Sequence, residues 1–113
     1  MACKIKCGEK TLSSNGTGSI SIEVDAGKTF TIGKIATTST GDYKITQIKD
    51  SATGYHFISG SLYRDHIKER GNHLLLYQLV PIVLRGPTKL ILELTDLSGS
   101  SNTVKLAFIG DES

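Results

Sequence analysis

Thr88 to Gly110 reads T-K-L-I-L-E-L-T-D-L-S-G-S-S-N-T-V-K-L-A-F-I-G. Leu90, Leu92 and Leu94 fall on one face of an extended chain, with Glu93 and Thr95 on the other. Beyond a tip of Ser, Gly and Asn, Val104, Leu106 and Phe108 share a face and Lys105 points away. A period of two means strands with one buried side. The two runs and their tip predict a closing β-hairpin.

The same pattern extends outward along the chain. Ile20, Ile22 and Val24 alternate with Ser21 and Glu23 after the turn signal Asn15-Gly16-Thr17-Gly18. Phe30 and Ile32 agree in phase, but Gly33 shifts Ile35 out of step, which predicts a bulge or a close backbone approach. Thr37 to Thr40 reads as a polar link. Within Gly41 to Asp50, Tyr43 and Ile45 agree and Ile48 takes the opposite parity. Cys3–Cys7 and Lys10–Leu12 read as short strands separated by Gly8, and Tyr55–Ile58 as another strand. The apolar run Leu74–Leu84 contains Pro81, so it is an edge strand, a bend, or two strands meeting at the proline.

About eight short strands with frequent turns, and no strand–helix alternation, predict an all-β antiparallel sandwich or barrel. A jelly-roll sandwich is the first choice. One segment departs from the pattern. Ser61 to Gly71 is charged and bracketed by helix-capping residue types, so it reads as a short helix with a stripe of Leu62, Tyr63 and Ile67, or else as a surface loop. Excursions from a rigid scaffold are where binding concentrates. The candidate partner-binding residues are therefore Tyr55, Tyr63, Arg64, His66 and Arg70.

Size and composition narrow the function classes. A chain of 113 residues is expected to form one domain with a core of its own. A net charge of +2, with scattered basic residues, gives no footprint for nucleic acid or an anionic membrane. No apolar run is long enough to span a bilayer as a helix, and the first residues lack the apolar core of a signal peptide, so synthesis in a cytoplasm is expected. Asn15-Gly16-Thr17 then reads as a turn rather than a glycosylation acceptor. Cys3 and Cys7 share a strand face ~13 Å apart, beyond disulfide reach, and read as buried or idle thiols.

No reactive constellation assembles from the residue types. His66 with Asp65 or Glu69 falls short of the three or four ligands a metal needs, and His56 reads as a strand imidazole. The acids lie at turns or on exposed strand faces, and Ser98-Gly99-Ser100-Ser101 lacks the Gly-x-Ser-x-Gly of a nucleophile elbow. No phosphate-binding loop is present. The expectation is a non-enzymatic protein with no cofactor and no metal. Carbohydrate binding is the alternative, because sandwiches commonly host it, although the chain has no Trp and only modest Tyr platforms at Tyr55 and Tyr63.

The stretch from Gly41 to Gly110 resembles the small jelly-roll virion proteins of tailed bacteriophages. The resemblance lies in Gly41–Ile45 followed by Ile48–Tyr55, then Leu79–Leu84 around its proline, Leu90–Asp96, and Asn102–Gly110 after the Ser/Gly tip. It is carried by apolar spacing and turns, and the charged insertion Tyr63–Gly71 departs from it. The resemblance implies a capsid decoration, cement or other accessory structural protein. It would bind capsid or other virion subunits and associate with itself as a homo-oligomer, a trimer first, with the Leu74–Leu84 run buried between subunits. Its place would be the virion, after synthesis in the bacterial cytoplasm.

Overall fold

Apart from Cys3–Cys7, the alternating runs place their apolar parity inside a sandwich, in a computed structural model that describes residues 2–68, 73–75 and 82–113. The described strands are β1 (Ala2–Leu12), β2 (Thr17–Val24), β3 (Thr29–Ser39), β4 (Tyr43–Asp50), β5 (Leu62–Tyr63), β6 (His73–Leu75), β7 (Ile82–Arg85), β8 (Thr88–Asp96) and β9 (Asn102–Glu112). One helix, α1 (Arg64–Lys68), lies between β5 and β6.

All pairings are antiparallel and they nest. β1 pairs with β9, β2 with β8, β3 with both β6 and β7, and β4 with β5. Nested pairs describe one long hairpin. Wrapping that hairpin on itself adds β9 to β3 and β8 to β4, and so produces two sheets. Sheet A has the order β1-β9-β3, with β6 and β7 in tandem along the far edge of β3; sheet B has the order β2-β8-β4-β5. This is the jelly-roll winding, with each sheet's apolar face turned to the other.

The core lies between the sheets. Sheet A contributes Phe30, Ile32, Ile35, Leu84, Leu106 and Phe108, and sheet B contributes Ile22, Ile45, Leu90, Leu92 and Leu94 against them. Each such side chain taken fully out of water is worth about 1.5–3 kcal/mol relative to exposure. Of the Leu74–Leu84 run, Ile82 and Leu84 are buried in their own sandwich and Val83 is half-buried, while residues 76–81 lie outside the described residues.

Several sequence expectations change. The Thr88–Gly110 stretch is not a hairpin, because β8 and β9 do not pair with each other and sit in opposite sheets. The buried parity of both runs is as expected; periodicity fixes the face of a strand, not its neighbour. Gly8 does not divide two strands. It lies within a continuous β1, where a Cβ would collide with Ile20 Cγ2, so the glycine lets sheet B approach. Thr37 is no link residue but part of β3, buried and facing the core. Tyr55–Ile58 forms only a bridge at His56, not a strand.

Both phase shifts are register shifts in the structure. The β3–β9 ladder slips between Ile32 and Lys34, at Gly33. The β4–β8 ladder slips between Ile45 and Gln47, which turns Ile48 back into the core. Within the charged excursion the helix begins at Arg64, after Leu62 and Tyr63 have paired as β5, and is described to Lys68. Its anchor is Ile67, fully buried, with Leu62 packed partly against the core and Tyr63 turned outward.

Candidate functional site

The candidate binding residues divide into separate places. Tyr63, Arg64 and His66 lie together at the start of α1. His66 Nδ1 accepts the Tyr63 N–H at 3.0 Å, the reciprocal half of a capping box, and the two rings meet edge to face at 5.9 Å. Lys44 Nζ stands 6.0 Å from the Tyr63 ring centroid. Arg64 turns the other way and ties the helix to the β3–β4 connection. Its Nη1 donates to Ser39 Oγ at 3.2 Å and its Nε lies 3.6 Å from Asp42 Oδ1. That guanidinium is already engaged by its own chain. Arg70 and Glu69 lie outside the described residues.

Tyr55 is elsewhere. It packs edge-on against Phe57 at 5.0 Å and is 62% exposed, beside the Gln47–His56 contact at 3.2 Å. Its backbone bonds Asp50, at the end of β4 remote from Lys44 and Tyr63. Five to six strand residues separate the two tyrosines, roughly 16–20 Å. The two tyrosines therefore do not share one aromatic platform.

The Asp96–Asn102 tip is the corner where the chain crosses between sheets, and its polarity is consumed internally. The Asp96 carboxylate accepts from the Asn15 and Gly99 N–H groups, from the Ser98 N–H and hydroxyl, and from the Asn102 amide at 3.0 Å. The Ser98 hydroxyl first, then the other donors, outweigh burial and hold this carboxyl well below the usual carboxylate range. Asn102, fully buried, also donates to the Asp42 carbonyl and accepts from the Gly41 N–H, both at 2.9 Å. Asn15 takes a left-handed φ of 56° to present its N–H there. A second buried polar pair, Tyr43 and Thr37, joins the sheets through their hydroxyls, and burial pushes the Tyr43 phenol up.

The outer face of sheet A is different in kind. Register places Glu9, Lys105 and Thr38 in one row across β1, β9 and β3. The next row is Cys7, Ala107 and Ala36, and the next Ile5, Ile109 and Lys34. A row of small side chains between two rows of long ones makes a shallow depression of about 530 Å³. Ile5 is 56% exposed, and both thiols lie exposed rather than buried. Cys3 and Cys7 share a face, as their spacing predicts, and of the two readings, buried or idle, burial does not hold. The signal for the opposite was present: Leu12, the clear core residue of β1, has the other parity.

No cluster of three or more His, Cys, Asp or Glu placed to hold a metal ion occurs among the described residues. No described helix is long and apolar enough to cross a membrane. No protein-family model and no curated protein matches the chain.

Proposed function

We propose that the protein is a non-enzymatic contact module, an accessory component of a bacteriophage virion that binds capsid or other virion subunits and copies of itself. The observation that carries this reading is the outer face of sheet A. Exposed Ile5, small Cys7, Ala36 and Ala107, and the charges of Glu9, Lys34 and Lys105 lie on one uncovered surface. Surfaces that combine an apolar floor with a charged rim suit protein partners and need no cofactor. The jelly-roll winding and the sequence resemblance from Gly41 to Gly110 support the virion setting.

The test is co-sedimentation of the full chain with particles assembled from the structural genes that neighbour its own. Stoichiometric retention on the particles is the expected result. A chain that stays in the soluble fraction at micromolar concentration overturns the virion reading.

Carbohydrate binding has one observation in its favour, the exposed Tyr55 ring beside Phe57, Gln47 and His56. A glycan array decides it: a hit lost in Tyr55→Ala favours a sugar site, and an array without hits removes that reading.

A further inference from the structure

Three rows of the outer face of sheet A place an acid and a base on opposite sides of a small residue. Take Ala107, on β9, as the centre. Glu9 lies one strand to one side and one row up, and Lys34 one strand to the other side and one row down. With strands about 4.8 Å apart and about 6.6 Å between rows, each is about 8 Å from Ala107, on opposite ends of a diagonal about 16 Å long. An acid and a base at equal and opposite displacements from a small residue can meet their opposites across a two-fold axis, and the same operation brings Lys105, beside Glu9, to about 5 Å in projection from Lys34 of the other copy. A two-fold axis lying in the face, through Ala107 and perpendicular to that diagonal, carries Glu9 of one copy onto Lys34 of the next, and the reverse.

We infer that the outer face of sheet A is a two-fold contact between two copies of this chain, with Glu9 of each copy opposite Lys34 of the other. Four further observations converge on a second copy as the occupant. Among the described residues, neither Glu9 nor Lys34 takes part in an ion pair within its own chain. Ile5, the most exposed aliphatic side chain of the face, falls within about 3 Å of the same axis, so the two Ile5 side chains meet and leave water together. The floor of Cys7, Ala36 and Ala107 lets the two sheets approach at the centre. Finally, the strands of the two copies cross at roughly 70°, close to the orthogonal class of sheet packing.

Edge-to-edge pairing, the other way for a sandwich to self-associate, is opposed by the sequence of β1. Its core-side parity carries Lys4, Lys6 and Lys10, with Leu12 apolar at its end. Lys6 folds over the Phe30 ring, 5.5 Å from the centroid, and reaches Glu112 at 3.4 Å, while Lys4 and Lys10 remain exposed. Pairing β1 with a second β1 brings these lysines together, which is a known guard against edge association. Pairing through the β1 edge is therefore disfavoured.

The inference deepens the self-association part of the proposed function and rests on it only for the biological use of the dimer. Its test is sedimentation equilibrium of the full chain under reducing conditions, with circular dichroism to verify that each variant is folded. The wild type is expected to show a monomer–dimer equilibrium. Glu9→Lys and Lys34→Glu are each expected to weaken it about tenfold or more, because each places like charges opposite one another, while the double exchange restores it to within about threefold. In a Cys3→Ser background, the labelling rate of Cys7 is expected to fall as the dimer forms.

A wild type that remains monomeric overturns the inference. So does a dimer or trimer indifferent to the single reversals, or a double exchange that fails to recover. A monomer that still rides on virion particles overturns the two-fold contact alone. A charge-exchangeable dimer that ignores every particle overturns the virion reading alone.

Discussion

Two regions of this molecule carry polar groups and differ in what those groups are doing. At the Asp96–Asn102 corner, one carboxylate and one amide collect N–H and hydroxyl donors from Asn15, Gly41, Ser98 and Gly99, and the amide reaches the Asp42 carbonyl. On the outer face of sheet A, Glu9, Lys34 and Lys105 have no ion-pair partner among the described residues. The corner is closed on itself and the face is open. Polar residues alone therefore do not mark a binding surface; polar residues whose bonding capacity is unspent do.

The contrast is broken most forcefully at the corner. Asn102→Ala removes three hydrogen bonds from a fully buried position and leaves their partners unsatisfied. It is expected to cost about 3 kcal/mol in urea unfolding. A loss below about 0.5 kcal/mol would show that water replaces the amide freely and that the corner is not closed.

Acid sharpens the same point. The unfolded Asp96 carboxyl titrates near its ordinary value of 3.8, and the folded one well below it. At neutral pH both forms are ionised and the stabilisation is fully present. As pH falls below about 4 the unfolded chain takes up the proton first, so stability drains away toward the lower folded value. Asp96→Asn is expected to be less stable than wild type at pH 7 and to lose less stability than wild type between pH 4 and 2. Parallel pH curves for the two proteins would contradict the assignment.

A smaller effect is expected where a buried polar pair joins the two sheets. Tyr43→Phe keeps the ring packing and deletes the hydroxyl that meets Thr37. Because Thr37 retains the Lys105 carbonyl at 3.2 Å as an acceptor, the cost is expected to be about 1 kcal/mol by thermal unfolding. The smallest change belongs to the open face. Ile5→Ser is expected to move monomer stability by no more than about 0.5 kcal/mol, since that side chain buries little in its own chain. A large loss there would mean that the face is part of the fold after all.

What the sequence disclosed follows from what periodicity can encode. Alternation in Ile20–Val24, Leu90–Leu94 and Val104–Phe108 identified the buried faces, and the phase slips at Gly33 and before Ile48 located both register shifts. Strand partners were not legible. The same alternation in β8 and β9 serves a hairpin or two opposed sheets equally well, and only the nested long-range pairing separates the two. The outer face was missed for a related reason. β1 has lysines on its core-side parity and Ile5, Cys3 and Cys7 outside, so hydrophobicity pointed the wrong way. Tyr55 and Tyr63 are close in sequence, and the intervening chain returns along β4 to place them at its two ends.

The nested pairing also has a consequence for synthesis. β9 is hydrogen-bonded to both β1 and β3, and β8 to both β2 and β4. The two strands that stitch each sheet together leave the ribosome after every one of their partners. Until they emerge, β1 has no ladder and β2 has none, so the first half of the chain waits as exposed, strand-prone polypeptide. The lysines of β1 then act before the fold exists, keeping nascent copies from pairing with one another during that interval.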